Sequence, residues 1–412
     1  TTTASNVTGR SVDGMSGFDK SRLARLRDVM VRHVERDDVG GVAWLAARDG
    51  DVEVGVAGTL TREDGRAVEP DSIFRISSMT KPITAVAAMI LVEECRLRLD
   101  DPIDDLLPEM VNRRVLVDGR GGLDGETVPA TRSITLDDLL TFRLGLGMDF
   151  SAPWPWPVMD AMDALELGSG PPHPQVPPEP DEWIRRLSSL PLLYQPGERW
   201  LYNTGSDVLG VLIRRAAGQP LEVFLRERVF EPLGMADTAF YAEHPDRFGG
   251  CYAVDPVDGH RTLFDPPDGE WTKPPAFPSA AGGLLSTVDD MHAFGRMLLA
   301  EGRLPDGSRL ISSAAVDAMT TDHIGVLGGT PGPSPDASLG WGFGVGVQVR
   351  RTGLAREVGS YGWDGGLGSS WANDPRARVV ATILTTDTFT GPFPPPAIVR
   401  DFWTCVYASL DD

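Results

Sequence analysis

A serine and a lysine three residues apart, in Ser78-Met79-Thr80-Lys81-Pro82, are the sharpest chemical signal in this chain. The apolar residues that follow, Ile83, Val86, Ala87, Ile90 and Leu91, recur at helical spacing, so the pair opens a helix. Pro82 fits there, because first-turn N–H groups have no intrahelical partner to lose. Ser78 is thereby placed at or next to the N-cap. Its hydroxyl sits at the positive end of the helix dipole, with Lys81 one turn on along the same face. Such an arrangement suits a nucleophile, since the dipole favours developing negative charge and a close amine can take the proton. The choice of lysine matters, because only Lys20, Lys81 and Lys273 among 38 basic residues are lysine. Arginine keeps its proton at working pH, whereas a partly buried lysine can release it. The pentapeptide alone leaves a plainer alternative open, an N-capping serine followed by a solvated lysine.

Two further segments carry chemistry. Tyr202-Asn203-Thr204 lies just before a helix predicted over 208–217 and stopped by Gly218. Tyr202 is either a half-buried packing residue or a phenolic base whose pKa a neighbouring ammonium lowers. Gly362-Trp363-Asp364-Gly365-Gly366 reads as a glycine-rich turn leading into a strand over 367–371. Glycines at a strand margin let a backbone N–H approach a ligand closely, as an oxyanion hole requires. The chain has no G-x-S-x-G elbow, H-E-x-x-H pair or P-loop, and its six histidines lack ligand spacing. Neither a metal site nor a cofactor is expected.

The elements that must position these groups follow from periodicity. A helix is predicted over 17–36, and strands over 41–47 and 52–57 flank the turn Arg48-Asp49-Gly50-Asp51. The Ser78 helix runs over about 78–97. Residues 100–280 show helical patterns broken by Pro/Gly connectors. Strands return over 342–350, 367–371 and 379–385, and a last helix spans 396–410. Strands at both ends with helices between predict an α/β fold: an antiparallel sheet flanked by helices, with an inserted, mostly helical subdomain. The expected organisation is a polar tail over 1–14 and one catalytic domain over 15–412. Its α/β part is 15–100 with 280–412, and its helical part is 101–279. Nine prolines with Trp154, Trp156 and His173 crowd residues 151–182. That stretch is either an ordered surface loop or a lid whose tryptophans wall a substrate pocket.

Composition narrows the function. The 412 residues are 41% hydrophobic and 24% charged, which excludes wholesale disorder. A net charge of −21 would repel phosphate backbones and anionic lipid, so neither nucleic acid nor membrane is an expected partner. The longest apolar run, Ile83 to Val92, is half a membrane span. Without an apolar leader a cytoplasmic location is expected, or a secreted or periplasmic one if the native start has been trimmed. Cys95, Cys251 and Cys405 are expected to be reduced. Oligomeric state stays open.

Taken in order, the Ser–Lys pair, the tyrosine and the glycine-rich segment resemble the serine β-lactamase and penicillin-binding-protein superfamily, most of all class C β-lactamases and family VIII carboxylesterases. The stretches 74–82, 194–210, 230–238 and 280–290 resemble it too, so the likeness covers about 17–410. It implies that Ser78 is acylated and that Lys81 and Tyr202 share the acid and base work. The N–H groups of Ser78 and Gly366 would form the oxyanion hole. Trp363, Asp364 and Gly365 would contact a small acyl substrate, as Trp154 and Trp156 would if the 151–182 stretch is a lid. Two departures stand out. Thr204 takes the place of the asparagine of Tyr-x-Asn, and Trp363-Asp364-Gly365 replaces Lys-Thr-Gly, whose lysine helps bind the penicillin carboxylate. Ester hydrolysis is therefore the leading expectation. Acyl transfer, β-lactam or D-amino-acid peptide hydrolysis, and last a non-catalytic sensor, are the alternatives.

Overall fold

The computed structural model describes residues 17–152, 156–391 and 393–411. The sequence Gly41–Arg48 (β1) reads as an almost unbroken apolar run because all eight residues are buried, as befits a strand covered on both faces. It pairs antiparallel with Asp51–Thr61 (β2) on one side. The expected Asp-Gly turn joins them, with Asp49 and Gly50 both at positive φ, the conformation that matches strand twist in a tight hairpin. Arg66–Ala67 (β3) continues that edge.

The C-terminal part supplies Leu339–Trp341 (β4), Gly346–Gln348 (β5), Tyr361–Gly365 (β6), Ser369–Asp374 (β7) and Val379–Thr385 (β8). The eight strands form one antiparallel sheet in the order β4-β5-β6-β7-β8-β1-β2-β3. The two ends of the chain thus meet at the β8–β1 pairing. Helices Lys20–Glu35 (α1) and Ala397–Ala408 (α5) cover one face over a core that includes Trp44, Ile383 and Phe402. The other face packs on Thr80–Glu93 (α2) and Val288–Leu299 (α4), with Leu45, Val86, Phe294 and Leu384 in the larger core. Between the halves lies Thr204–Ala217 (α3), which packs against α2.

Two expectations need correction and one needs an addition. Of residues 342–350 only 346–348 are strand (β5): the residues before it turn back from β4, which ends at Trp341, with Gly344 at positive φ. The glycine-rich motif is not a turn but the strand β6, and the turn falls after it, where Gly368 has φ 102°. Residues 101–279 also contain two small antiparallel ladders, 114–116 with 127–129 and 251–254 with 261–265, among their helices. The 1–14 tail lies outside the described residues. Among the described residues no helix is long and apolar enough to cross a membrane.

Candidate active site

Ser78 lies in a single 3₁₀ turn, 77–79, directly ahead of α2, so its hydroxyl stands at the helix tip as the spacing predicts. Ser77 holds φ +47°, a conformation that costs a non-glycine residue energy and clusters at functional sites. Three residues on one face of α2 tie it to the segment 280–284. Thr80 Oγ1 accepts from Leu284 N at 3.1 Å, and Thr84 Oγ1 donates to Ala280 O at 3.1 Å. Between them Lys81 Nζ donates to Ala281 O at 2.6 Å.

Lys81 is 1% exposed. Its nitrogen also reaches Asn203 Oδ1 at 2.8 Å and Ser78 Oγ at 3.0 Å. Two of these partners, a carbonyl and an amide oxygen, can only accept, whereas the hydroxyl can accept or donate. A neutral amine keeps two N–H groups for the two acceptors, so its lone pair turns to the hydroxyl. Burial lowers the Lys81 pKa to about 7, against the opposing pull of the Asp207 charge. Asp207, on α3, is itself raised by burial. It accepts from Ser279 Oγ at 2.8 Å and Ala281 N at 3.1 Å, and so fixes the carbonyl that Lys81 meets.

Tyr202 is held by two backbone hydrogen bonds with Met148 and caged by Phe142, Phe150, Trp200, Trp341 and Trp363. Its ring centroid is 4.5 Å from Lys81 Nζ. The sequence reading allowed a phenol acidified by a neighbouring ammonium, and the structure reverses that direction. Burial in the aromatic cage pushes the Tyr202 pKa well above the ordinary phenol range, and hydrogen bonds with Ser78 and Trp363 oppose this only in part. Tyr202 therefore keeps its proton.

Trp363 was expected to contact substrate. It lines the cleft, but its indole N–H donates to Tyr202 Oη at 2.7 Å, which makes it a partner of the tyrosine. Asp364 projects to the opposite face of β6, as neighbouring strand residues must. There it accepts from Ser370 Oγ at 2.6 Å and lies 3.5 Å from Arg356 Nη2. Gly365 packs against the nucleophile turn: a Cβ there would stand 2.4 Å from Ile76 O, so only glycine lets β6 come this close. Gly366 has open space above it, and with Ser78 it borders one cleft of about 1380 Å³. Trp156 lines that cleft on Phe150, with ring centroids 5.7 Å apart. Trp154 lies outside the described residues.

Sequence reasoning missed Asn203 and Asp207. The amide found absent at 204 is supplied one position earlier, because Asn203 takes φ +84° and turns its side chain onto Lys81. With ψ −63° this is the conformation of a strained γ-turn, closed by Thr204 N donating to Tyr202 O at 3.3 Å, which residue types do not announce.

Comparison with known proteins places the chain in a family. The family model described as Beta-lactamase matches residues 26–401. Protein Rv1367c of Mycobacterium tuberculosis is 37% identical over 362 residues, covering 84% of this chain and 85% of its own. Esterase EstB of Burkholderia gladioli is 32% identical over 407 residues, covering 93% and 95%. Among solved structures, EstCE1, titled a hydrolase with promiscuous acyltransferase activity, superposes with a TM-score of 0.77 at 24% identity, covering 94% and 99%. At that identity the likeness speaks for the fold.

Proposed function

The chain belongs to the β-lactamase family, a serine hydrolase of that type, and we propose that within it the protein is a carboxylesterase working through an acyl-serine. The observation that carries this reading is the buried Lys81 amine 3.0 Å from Ser78 Oγ beside an open cleft, with burial lowering its pKa to about 7 so that it can take the hydroxyl proton. Lys81 takes the hydroxyl proton as Oγ bonds to the ester carbon. The carbonyl oxygen becomes an oxyanion facing the Ser78 and Gly366 N–H groups, each such donor being worth about 3 kcal/mol of barrier. When the C–O bond of the ester breaks, Tyr202 passes its proton to the departing alkoxide, and the proton on Lys81 restores the phenol. Water then attacks the acyl carbon by the reverse relay and frees the acid and Ser78.

Esters are favoured over β-lactams because the indole of Trp363, not an ammonium, stands beside Tyr202, and an indole cannot hold a carboxylate by charge. The similarity to an esterase at 32% identity supports the same choice. Acyl transfer to an alcohol is the second reading. It is favoured by the prolines and aromatic rings that line the cleft, which can disfavour water relative to a larger acceptor. Intact-mass spectrometry after mixing with p-nitrophenyl esters, a thioester and a cephalosporin tests the proposal. The expected result is an acyl mass on Ser78 that decays with nitrophenolate release. Cephalosporin turnover outpacing every ester would overturn it.

A further inference from the structure

The two N–H groups that face the oxyanion come from opposite ends of the chain. Ser78 N lies in the turn ahead of α2, and Gly366 N follows directly on β6. Each is aimed by its own peptide, because in a planar trans peptide the C=O and the N–H point in opposite directions. Ser77 O accepts from Thr80 N, so the Ser78 N–H points back out of the helix start. Gly365 O accepts from Gly368 N at 2.9 Å, which turns the Gly366 N–H away from the β6–β7 turn. Local bonding thus sets the direction of each donor, but not the distance between the two.

Ser369 spans that distance. It opens β7, stands opposite Gly365 in the ladder with β6, and pairs on its other side with Leu384 of β8. It is 1% exposed, and its Oγ donates to Ile76 O at 2.8 Å. The same carbonyl accepts from Met79 N at 3.1 Å, the bond that closes the turn carrying Ser78. Its two lone pairs serve both donors. Gly365 leaves room for the clamp, since a Cβ there would stand 2.2 Å from Ser369 Oγ. The turn's backbone anchor, Ile76 N on Leu284 O at 3.1 Å, holds it to the segment 280–284 instead of to β6.

We infer that Ser369 is a positioning residue for the oxyanion hole, its hydroxyl holding the nucleophile turn at the spacing from Gly366 that lets both N–H groups reach one oxygen. This deepens the esterase reading and rests on it. Ser369→Ala removes the donor, and Ser369→Cys keeps the volume with only a weak one. Each should lower kcat for p-nitrophenyl butyrate about ten- to thirtyfold with KM within about twofold, a part of the roughly 10²- to 10³-fold that losing a hole donor outright costs. Butylboronic acid gives a readout that a packing role would not move. Ser78 Oγ bonds to boron as Lys81 takes the hydroxyl proton, and the tetrahedral adduct puts a boron oxygen where the oxyanion forms. Its Kd by calorimetry should rise by about the factor that kcat falls, with the Lys81 limb of the pH profile unmoved. If the alanine variant does not fold, the cysteine variant decides. An unchanged kcat, or a lower kcat with the boronate Kd unmoved, overturns the inference and leaves the esterase reading intact. A wild type that turns over no ester overturns the esterase reading, and the boronate Kd then decides the clamp alone.

Discussion

From Thr80 to Leu91 every residue of α2 is buried, whereas across the cleft, between Gly168 and Pro177, only Ser169 and Pro174 are. The first wall is stitched to the segment 280–284 by buried hydrogen bonds through Thr80, Lys81 and Thr84. The second is a strap held mainly by exposed contacts. His173 Nδ1 lies 3.2 Å from Glu270 Oε1, and Gln175 Nε2 donates to the carbonyls of Glu270 and Lys273 at 3.2 and 3.1 Å. Pro172 leans in over Gly282, where a Cβ would be 3.1 Å from its ring. The difference has a chemical meaning. Proton transfer needs donor and acceptor fixed to a few tenths of an ångström, which close-packed surroundings supply. Admission of substrate needs a wall that can yield, and local opening is drawn from regions with little buried surface.

The comparison breaks most visibly at Lys81. Lys81→Ala and Lys81→Arg should each lower kcat/KM by at least about 10³-fold, the arginine because it keeps the charge and loses the ability to accept a proton. Circular-dichroism melts separate this from misfolding. In the wild type the rate should follow the neutral amine. Since burial lowers the Lys81 pKa from 10.5 to about 7, the protonated, inert form dominates below neutrality. The rate in log kcat/KM against pH should therefore climb about tenfold per unit up to about pH 7 and then level off. No falling limb is expected near pH 9, because Tyr202 holds its proton beyond the ordinary phenol range. A flat profile, or a limb centred near 10, would contradict the assignment of the base.

A subtler probe sits where β6 meets the cage. Trp363→Phe keeps a ring against Trp341 but removes the donor to Tyr202 Oη. One lost hydrogen bond of about 1 kcal/mol predicts a kcat lower by about five- to tenfold, with the Lys81 limb of the pH profile unmoved. A change confined to KM would instead make Trp363 the substrate contact that the motif implied.

That motif also marks how far the sequence could be read. The helix start at Ser78, the Asp49-Gly50 hairpin and the pairing of the two chain ends were legible because apolar period and turn chemistry are local properties. β6 was not, because Tyr-Gly-Trp-Asp-Gly lacks the β-branched alternation that announces a strand. Its glycines answer to neighbours distant in sequence: a Cβ at Gly362 would stand 2.1 Å from Trp371 O. The direction of the Tyr202 shift was hidden for the same reason, since the cage around it is assembled from residues 142 to 363. The hydrogen bond from Lys81 to the Asn203 amide oxygen depends on a backbone angle that no pattern of residue types prints.

The smallest expected effect is on the strap. His173→Ala combined with Gln175→Ala removes the three side-chain contacts that hold it to residues 270–273, all exposed and each weak in water. p-Nitrophenyl acetate, too small to need the strap as a wall, should turn over within about twofold of wild type. A bulky aromatic ester should show a KM raised by about three- to fivefold, because the apolar surface around Pro172 and Trp156 no longer closes over it. If the double variant instead lost acetate turnover to the degree of Lys81→Ala, the strap would have to be transmitting force through Pro172 and Gly282 into the Ser77–Ser78 turn, and the two walls would be one mechanical unit.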